Sequence, residues 1–289
     1  MINVHPFRRA TQVFGLLIAN IYFAIIYKCQ LYDGALKSIC VPFLYCHSCP
    51  MAGFACPIGV MQHYMALHRF PFFLIGHLML IGLLIGRMIC GWVCPVGLFQ
   101  ELIFKIKSIK IVIPKYFSAL PYIMLIVFVI MLPYITTEHW FSKLCPVGTL
   151  SAGIPLVAWN PINPSTGAPT IEPGAIGTLF VVKVLILIAV LALCVFAKRP
   201  FCRYICPLGL FWSFFNKTSV MKLKVDDSCT KCDTCVDICP EGISVYEDPN
   251  SGDCVRCLEC VKCKHVKIVN SIPSGKKPAA VAAEIKEVK

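Results

Sequence analysis

One cysteine motif constrains this chain more than any other feature. The phrase Cys-Pro-x-Gly occurs four times, each time beside a long apolar run, and begins at Cys56, Cys94, Cys145 and Cys206. Two of the four copies carry a second cysteine four positions earlier, at Cys90 and Cys202. Positions i and i+4 share one side of a helical turn, and the Pro that follows can begin a new helix. The repetition indicates an internal duplication in which the repeated cysteines have a common function.

Composition indicates a lipid environment for most of the chain. Of 289 residues, 57% are hydrophobic and 15% are charged, whereas soluble domains are about a quarter charged. The mean hydropathy is +0.74. The formal charge of +12 could suggest nucleic acid, but no nucleic-acid-binding module accompanies it. Basic residues of a membrane protein instead collect in cytoplasmic loops, and that is the reading we adopt.

Four apolar runs predict four membrane-spanning helices. They cover about residues 13–27, 71–89, 116–134 and 175–196, each near the roughly 20 residues that cross the hydrocarbon. No Ala-x-Ala-like site follows the first run, which favours an uncleaved helix over a signal peptide. Segments 1–10, 87–115 and 198–224 hold 13 Lys and Arg, against 4 in segments 28–70 and 136–174. The positive-inside rule then places both termini in the cytoplasm, with the chain in the inner membrane.

The predicted fold class is an all-α membrane bundle followed by a small α+β ferredoxin domain. The bundle covers 1–220 and consists of two similar halves, about 10–110 and 116–218, with a short interfacial helix near 60–70. Hydrophobicity falls from Met221, and 221–272 is predicted as the ferredoxin domain, with short strands and few helical residues. A Lys, Ala and Glu-rich tail occupies 273–289.

The C-terminal domain carries eight closely spaced cysteines. The run Cys229-x2-Cys232-x2-Cys235-x3-Cys239-Pro240 is the bacterial ferredoxin motif. The second set departs from it, with a shorter last gap and His265 where a Pro is expected. By the usual crossover one [4Fe–4S] cluster is held by Cys229, Cys232, Cys235 and Cys263, and the other by Cys239, Cys254, Cys257 and Cys260. A structural zinc site is the alternative for either set.

Eight further cysteines fall into two predicted sets in the membrane domain. The inner set, Cys90, Cys94, Cys202 and Cys206, follows the second and fourth spans. The outer set, Cys46, Cys49, Cys56 and Cys145, follows the first and third. Each could close one more [4Fe–4S] cluster. The alternative is that these thiols form redox-active disulfides or bind copper. Cys29, Cys40 and Cys194 are interpreted as small apolar packing residues.

Other side chains are weaker candidates for chemistry. His47, His63, His68, Glu138 and His139 lie on the predicted outer side and could accept protons from a quinol, or could simply be solvated. Arg87 and Arg203 could balance the charge of a thiolate-bound cluster, and Lys183 could face the bundle interior. Only His77 lies inside a predicted span, which disfavours a bis-histidine haem. No nucleotide-binding loop or nucleophile–histidine–acid arrangement is evident.

These features resemble the NapH-type membrane polyferredoxins, which are related to the C-terminal parts of NosR and to CcoG/RdxA-like proteins. The resemblance rests on Cys90-x3-Cys94-Pro95, on Cys202-x3-Cys206-Pro207 and on the tail from Cys229 to Cys263, and it covers roughly residues 10–270. It implies membrane electron transfer, often from quinol toward a periplasmic reductase, or service in maturing a metalloenzyme. The outer cysteine set is not part of that pattern.

The predicted function is therefore that of an electron-transfer subunit with no catalytic residues of its own. Single electrons would pass between an outer redox partner or quinol and the cytoplasmic ferredoxin domain, within a multi-subunit complex. The predicted cofactors are two [4Fe–4S] clusters in the ferredoxin domain and one or two in the membrane domain, with quinone as a further candidate. The alternatives are a quinol dehydrogenase subunit and a maturation or regulatory factor that handles copper or disulfides.

Overall fold

The computed structural model describes residues 4–111, 113, 115–163, 166–171 and 177–270, so the predicted tail lies outside the described residues. The described chain is mostly helical and ends in a two-stranded sheet. The α-helices are Val4–Ala19, Ile25–Lys28, Pro57–Ala66, Phe72–Ile85, Met88–Trp92, Pro95–Phe104, Leu120–Ile123, Leu132–Thr136, Trp140–Leu144, Pro146–Gly148, Ile154–Trp159, Thr178–Phe196, Pro200–Tyr204, Pro207–Ser213 and Thr234–Asp237. Short 3₁₀ segments are Ala35–Ser38, Lys115–Ala119 and Glu259–Lys262, and π-helical segments are Met124–Met131 and Thr149–Gly153.

The first apolar run differs from the prediction. Its helix is Val4–Ala19, and no continuous helix covers 13–27. The side chain of Asn20 explains the break, because its amide nitrogen donates to the Leu16 carbonyl at 2.9 Å and its amide oxygen accepts from Tyr45. Asn competes in this way with the backbone hydrogen bonds that would extend a helix. The backbone amide of Tyr22 then bonds to the Met51 carbonyl at 3.2 Å.

Two of the described helices are long and apolar enough to cross a membrane, by length and composition. They are Tyr116–Thr136, which contains the first π-helical segment, and Thr178–Phe196. Phe72–Ile85 is equally apolar but shorter. All three leave large apolar side chains exposed, such as Phe73 at 87% and Leu185 at 60%. Aqueous protein surfaces rarely expose a contiguous apolar area of this kind.

All four Cys-Pro-x-Gly copies adopt the same local structure. In each copy the cysteine is the extended residue before a helix, with φ between −81° and −63° and ψ between 112° and 128°. The Pro occupies the first helical position, where its fixed φ is already helical and its missing N–H is not needed. Each cysteine sulfur therefore lies at the amino-terminal end of a helix, beside unpaired backbone N–H groups.

The C-terminal region is closed by its first and last described segments. Strand β1 (Met221–Val225) pairs antiparallel with strand β2 (Val266–Asn270), and Val225 lies opposite Val266. Thr234–Asp237 and Glu259–Lys262 are the short helical turns between the strands. Because the strands bracket both cysteine sets, the sheet holds the two ends of this region together.

One continuous core connects the membrane-domain cysteines with the C-terminal region. It contains Cys49, Cys56 and Cys145 of the outer set and all four inner cysteines, and it also contains Val255 and Cys257. A second, smaller core contains Cys235, Cys254 and Cys260 with strand residues Leu223 and Val266. Most cysteines of the four predicted sets thus lie in these two cores.

Candidate iron–sulfur sites

The structure brings the inner cysteines of the two halves together. Cys90, Cys94, Cys202 and Cys206 are 5–8% exposed. Burial raises the pKa of Cys202 well above its ordinary value, and the negative charges of Cys94, Cys206 and Cys90 raise it further. Such mutual effects require neighbouring sulfurs. Four neighbouring thiolates repel one another, so together they form a donor set suited to a group that contains several metal cations.

Backbone amides of the motif helices offset part of this repulsion. The Gly209 amide donates to the Cys206 sulfur at 3.3 Å. The amides of Val96 and Gly97 likewise lower the pKa of Cys94, against the larger effect of burial. A helix amino terminus favours negative charge in this way, and it stabilises a thiolate.

The glycines of the inner motifs are required by close approach. A Cβ at Gly97 would lie 2.9 Å from the Cys90 carbonyl oxygen, and one at Gly209 would lie 2.8 Å from the Cys202 carbonyl oxygen. At these glycines each motif helix therefore packs directly against the turn that carries the preceding cysteine. Glycine at this position therefore keeps the two sulfurs of one half adjacent.

Two buried arginines cross between the halves. Arg87 and Arg199 each stand three residues before a motif cysteine and are 2% and 1% exposed. The Arg87 guanidinium donates to the Cys202 carbonyl at 2.6 Å, and the Arg199 guanidinium donates to the Cys90 carbonyl at 3.5 Å. Each half thus supplies a cation to the other half's motif. The repeated Arg-x-x-Cys spacing is the signal by which Arg199 could have been found from the sequence.

Arg203, which the sequence analysis paired with Arg87 as a charge balance, has another environment. It binds Asp253 at 2.8 Å, with its side chain 22% exposed. Arg199 instead contacts Glu101, and its guanidinium also lies 3.4 Å from Glu241. Arg203 was expected to balance the cluster charge because it lies between Cys202 and Cys206 in the sequence. Arg199 instead precedes the helix Pro200–Tyr204 with a left-handed backbone (φ 43°), and its side chain is buried.

Gln100 is a further buried contact that sequence reasoning missed. Its amide nitrogen donates to the Cys202 sulfur at 2.9 Å, and its amide oxygen accepts from the Phe201 backbone at 3.1 Å. The residue at the same place in the second half, three after the motif glycine, is Trp212. The inner set is therefore symmetric in its cysteines and arginines but asymmetric in its hydrogen bonds to sulfur.

The structure also brings the outer cysteines of the two halves close to one another. Burial raises the pKa of Cys46 to about 12, with further contributions from Cys145, Cys56 and Cys49. A Cβ at Gly148 would lie 3.5 Å from the Cys46 sulfur, so the second half's motif contacts a cysteine of the first. Cys46, Cys56 and Cys145 line a small cavity of about 20 Å³.

Two residues near this set were not singled out by the sequence. The Tyr45 hydroxyl, whose proton is donated to Asn20, lies 3.1 Å from the Cys49 sulfur. Cys40, interpreted above as a packing residue, lies close enough to Cys56 for that thiolate to raise its pKa, after the larger effect of burial. A fifth thiol at the outer set makes Cys40 a competitor of Cys145 as a ligand.

The C-terminal cysteines pair across the two runs. Cys263, Cys229 and Cys232 each raise the pKa of Cys235, after burial. On the other side Cys239 and Cys254 raise the pKa of Cys257, again after burial. Cys239, Cys254, Cys257 and Cys260 line one small cavity of about 10 Å³. These proximities follow the crossover grouping, although the ligand assignment itself stays a prediction.

Matching backbone strain supports the second C-terminal set despite its irregular spacing. Lys231 and Asp233 have positive φ in the first run, and Arg256 and Leu258 have positive φ at the corresponding places in the second. Such conformations are uncommon for residues other than Gly. Left-handed residues within a loop turn successive N–H groups toward one point, which suits an anionic group.

The second C-terminal run is seated on the inner motif. A Cβ at Gly91, between Cys90 and Cys94, would lie 2.4 Å from the Val255 carbonyl oxygen. The indole nitrogen of Trp92 donates to the Arg256 carbonyl at 3.0 Å. Asn216 donates to the Cys254 carbonyl at 2.7 Å. The loop of one predicted cluster therefore lies directly against the loop of another.

Buried charges fasten the same junction. Arg8 forms two hydrogen bonds with Glu101, at 2.8 and 2.9 Å, and its Nε lies 3.5 Å from Glu259. Arg199 completes the group between Glu101 and Glu241. The attraction of Arg199 and Arg8 outweighs burial and lowers the pKa of Glu101. The first helix, the inner motifs and the C-terminal region are thus connected by ion pairs removed from water.

Substituting Gly91 tests this junction. Gly91→Ala is expected to cost about 1–3 kcal/mol of unfolding free energy, because the new methyl group meets backbone and not a flexible side chain. Gly76→Ala is the matched control: nothing lies within 4 Å of its Cβ position in the helix Phe72–Ile85, so alanine should stabilise by up to about 1 kcal/mol. Denaturant unfolding in detergent measures both. Equal effects would contradict the close packing at Gly91.

The donor chemistry of all four sets fits [4Fe–4S] clusters. Each set offers four cysteines, and the described sulfur environments contain N–H donors or cationic side chains. Among the described residues no group of three Cys, His, Asp or Glu converges on one point as the ligands of a single metal ion do. In a cubane the four thiolates bind different irons, so such convergence is not needed.

Comparison with known proteins supports the iron–sulfur interpretation independently of the structure. The family described as "4Fe-4S binding domain" matches residues 53–73, 70–114 and 179–226, which include the motifs of Cys56, Cys94 and Cys206. An uncharacterised protein of Methanocaldococcus jannaschii is 31% identical over 190 residues, which are 63% of this chain and 70% of the relative. YccM of Escherichia coli K12 is 26% identical over 278 residues, 89% of this chain and 72% of the relative.

A third relative carries a ferredoxin-type name. The ferredoxin-type protein NapH of Haemophilus influenzae is 25% identical over 190 residues, 60% of this chain and 57% of the relative. No solved structure matches this chain. The matched cysteine motifs and the M. jannaschii relative show common family membership and not only a general resemblance. The chain belongs to the NapH-like polyferredoxins, proteins of electron transfer through [4Fe–4S] clusters.

Proposed function

We propose that this protein carries single electrons across a membrane through four [4Fe–4S] clusters. The observation that carries the proposal is the contact between the Val255 carbonyl and Gly91, which joins the second C-terminal cysteine run to the inner motif. Bound clusters would supply one-electron redox chemistry at each set. Hydrocarbon about 30 Å thick is too wide for one electron-tunnelling step, so a series of redox sites is needed to cross it.

The membrane arrangement in this proposal has four spans, the first of them formed by Val4–Ala19 and not by 13–27, with both termini in the cytoplasm. Two long apolar helices, the exposed apolar surface of Phe72–Ile85 and the charge asymmetry of the loops support it. The outer cysteines then face an outer redox partner, and the C-terminal region faces a cytoplasmic donor or acceptor. In this proposal the chain functions as a subunit of a larger complex, because an electron carrier needs a donor on one side and an acceptor on the other.

Transport across sealed vesicles tests the function. The full chain in liposomes should let reduced ferredoxin outside reduce cytochrome c enclosed within. Cys206→Ser should lower the rate to that of protein-free vesicles, since it removes a ligand of the inner set at the junction. Cys29→Ser, which changes an exposed cysteine outside all four sets, is the control and should retain the rate. Reduction through the Cys206→Ser variant at the full rate would refute the cluster chain.

Two other functions make different predictions. A quinol dehydrogenase subunit should show cluster reduction on anaerobic addition of quinol. The stacked rings of His63 and His139, with centroids 5.8 Å apart, are the candidate proton acceptors. A maturation factor that handles copper or disulfides should contain about 8 iron per chain, against about 16 for four clusters. Iron and sulfide analysis of the anaerobically purified protein identifies a maturation factor, and the addition of quinol identifies a dehydrogenase subunit.

A further inference from the structure

We infer that a cavity beside the outer cysteines binds a small multivalent oxyanion. The cavity has a volume of about 510 Å³, within the range of ligand sites. Its charged and titratable lining residues are Lys37, His47, His63, His139, Lys143 and Lys183. No Asp or Glu lines it among the described residues. Such a concentration of positive charge in a concave site focuses the field on an anion.

Two of the lysines form no salt bridge in the described part of the chain, although the Asp33 carboxylate attracts Lys37 from a greater distance. Lys143 binds Glu138 at 2.6 Å, whereas Lys37 and Lys183 form no salt bridge with a described residue. Lys183 is half-buried within the apolar helix Thr178–Phe196, where an ammonium group is costly. An ionisable residue retained at that cost marks a binding site or an ion path. A bound anion would offset the repulsion among the three ammonium groups.

Hydrogen-bond donors complete the site. Ser48 and Ser142 lie in the wall, and the His63 and His139 rings stack 5.8 Å apart with an interplanar angle of 12°. Ammonium, hydroxyl and imidazole groups together match the several oxygens of a phosphate-type or polycarboxylate anion. A quinone headgroup fits less well, because only Ala55, Val60 and Gly59 among the described lining residues are apolar.

The site is adjacent to the outer cysteines. His47 and Ser142 line both this cavity and the cavity of Cys46, Cys56 and Cys145. A Cβ at Gly59 would lie 2.9 Å from the His47 imidazole, so the motif helix positions this ring. The binding of an anion does not require that the outer cysteines hold a cluster, and the inference therefore stands apart from the proposed function.

Equilibrium dialysis of the full chain against radiolabelled inorganic phosphate tests the site. We expect saturable binding that weakens about tenfold in Lys183→Gln and in Lys37→Gln, since each loses one charged hydrogen-bond donor. Lys28→Gln changes an exposed lysine outside the cavity and should bind as the unaltered chain does. Binding that is absent, or equal in all four proteins, would overturn the site and leave the lysines as counter-charges for the outer thiolates.

Two further measurements separate folding effects and the source of the anion. In anion-free buffer Lys183→Gln should unfold at the same temperature as the unaltered chain or higher, because repulsion is relieved, and phosphate should stabilise only the unaltered chain markedly. In nanodiscs, phosphatidylglycerol that displaces phosphate identifies a lipid headgroup as the source, whereas phosphate binding unaffected by it identifies a soluble anion. Phosphate stabilisation that is identical in Lys183→Gln would refute the inference.

Discussion

Replacing Arg199 by Leu is expected to lower the unfolding free energy by about 3–5 kcal/mol, the usual cost of removing one partner from a buried ion pair. Arg199 is 1% exposed and lies between Glu101 and Glu241. Its loss leaves Glu241 without its ion-pair partner, leaves Glu101 paired with Arg8 alone, and removes the donor to the Cys90 carbonyl. Denaturant unfolding in detergent measures the stability, and iron analysis should show loss of the inner cluster.

The control is Arg203→Leu, four residues further along the chain. Arg203 pairs with Asp253 through side chains that are 22% and 36% exposed, so its loss should cost at most about 1 kcal/mol and leave the iron content unchanged. If the two substitutions lowered the unfolding free energy equally, the difference in burial between Arg199 and Arg203 would not determine their contributions to stability. If Arg199→Leu were harmless, the crossing of cations between the halves would be structurally unimportant.

The second large effect concerns the outer set. Cys145→Ser is expected to remove about 4 of about 16 iron atoms per chain, because one missing thiolate leaves a [4Fe–4S] cluster with three ligands. The second half's contribution to the outer set is Cys145 alone, and a Cβ at its motif glycine, Gly148, would lie 3.5 Å from the Cys46 sulfur. Iron and sulfide counts with EPR of the reduced protein measure the loss.

Cys40→Ser distinguishes the two candidate fourth ligands. Cys40 lies beside Cys56 on the same half of the chain and is half-buried. We expect this variant to keep all of its iron. The reverse pattern, with iron lost in Cys40→Ser and kept in Cys145→Ser, would replace the cluster shared between halves by one held within the first half. An unchanged iron content in both variants would eliminate the outer cluster.

Local motifs were predictable because their geometry depends on neighbouring residues only. The Pro after each motif cysteine predicts a helix start, and a helix begins at that Pro in all four copies. The predicted resemblance to the NapH-like proteins is confirmed by the relatives, and the mostly helical fold with a ferredoxin-type domain agrees with the structure. The four-span topology and the sixteen ligands stay predictions.

Residues whose role depends on distant contacts could not be assigned from their neighbours. Apolar residues continue beyond Ala19, yet Asn20 ends that helix with the help of Tyr45, which lies 25 residues further along. Lys183 looked like an isolated charge in an apolar run, and only its place in the cavity wall connects it with Lys37 and the histidines. Both depend on chain segments that meet only in the folded protein.

The sequence by itself determined the family, the sulfur-rich chemistry and the helix starts at the cysteine motifs, because short-range spacing and residue type specify them. Only the tertiary structure decided which residues meet across the duplication. It brought Arg87 to Cys202 and Arg199 to Cys90, and it seated Val255 on Gly91. The physical reason is that burial and pairing of charges are properties of the assembled interior, where a carbonyl or carboxylate from a distant segment replaces water.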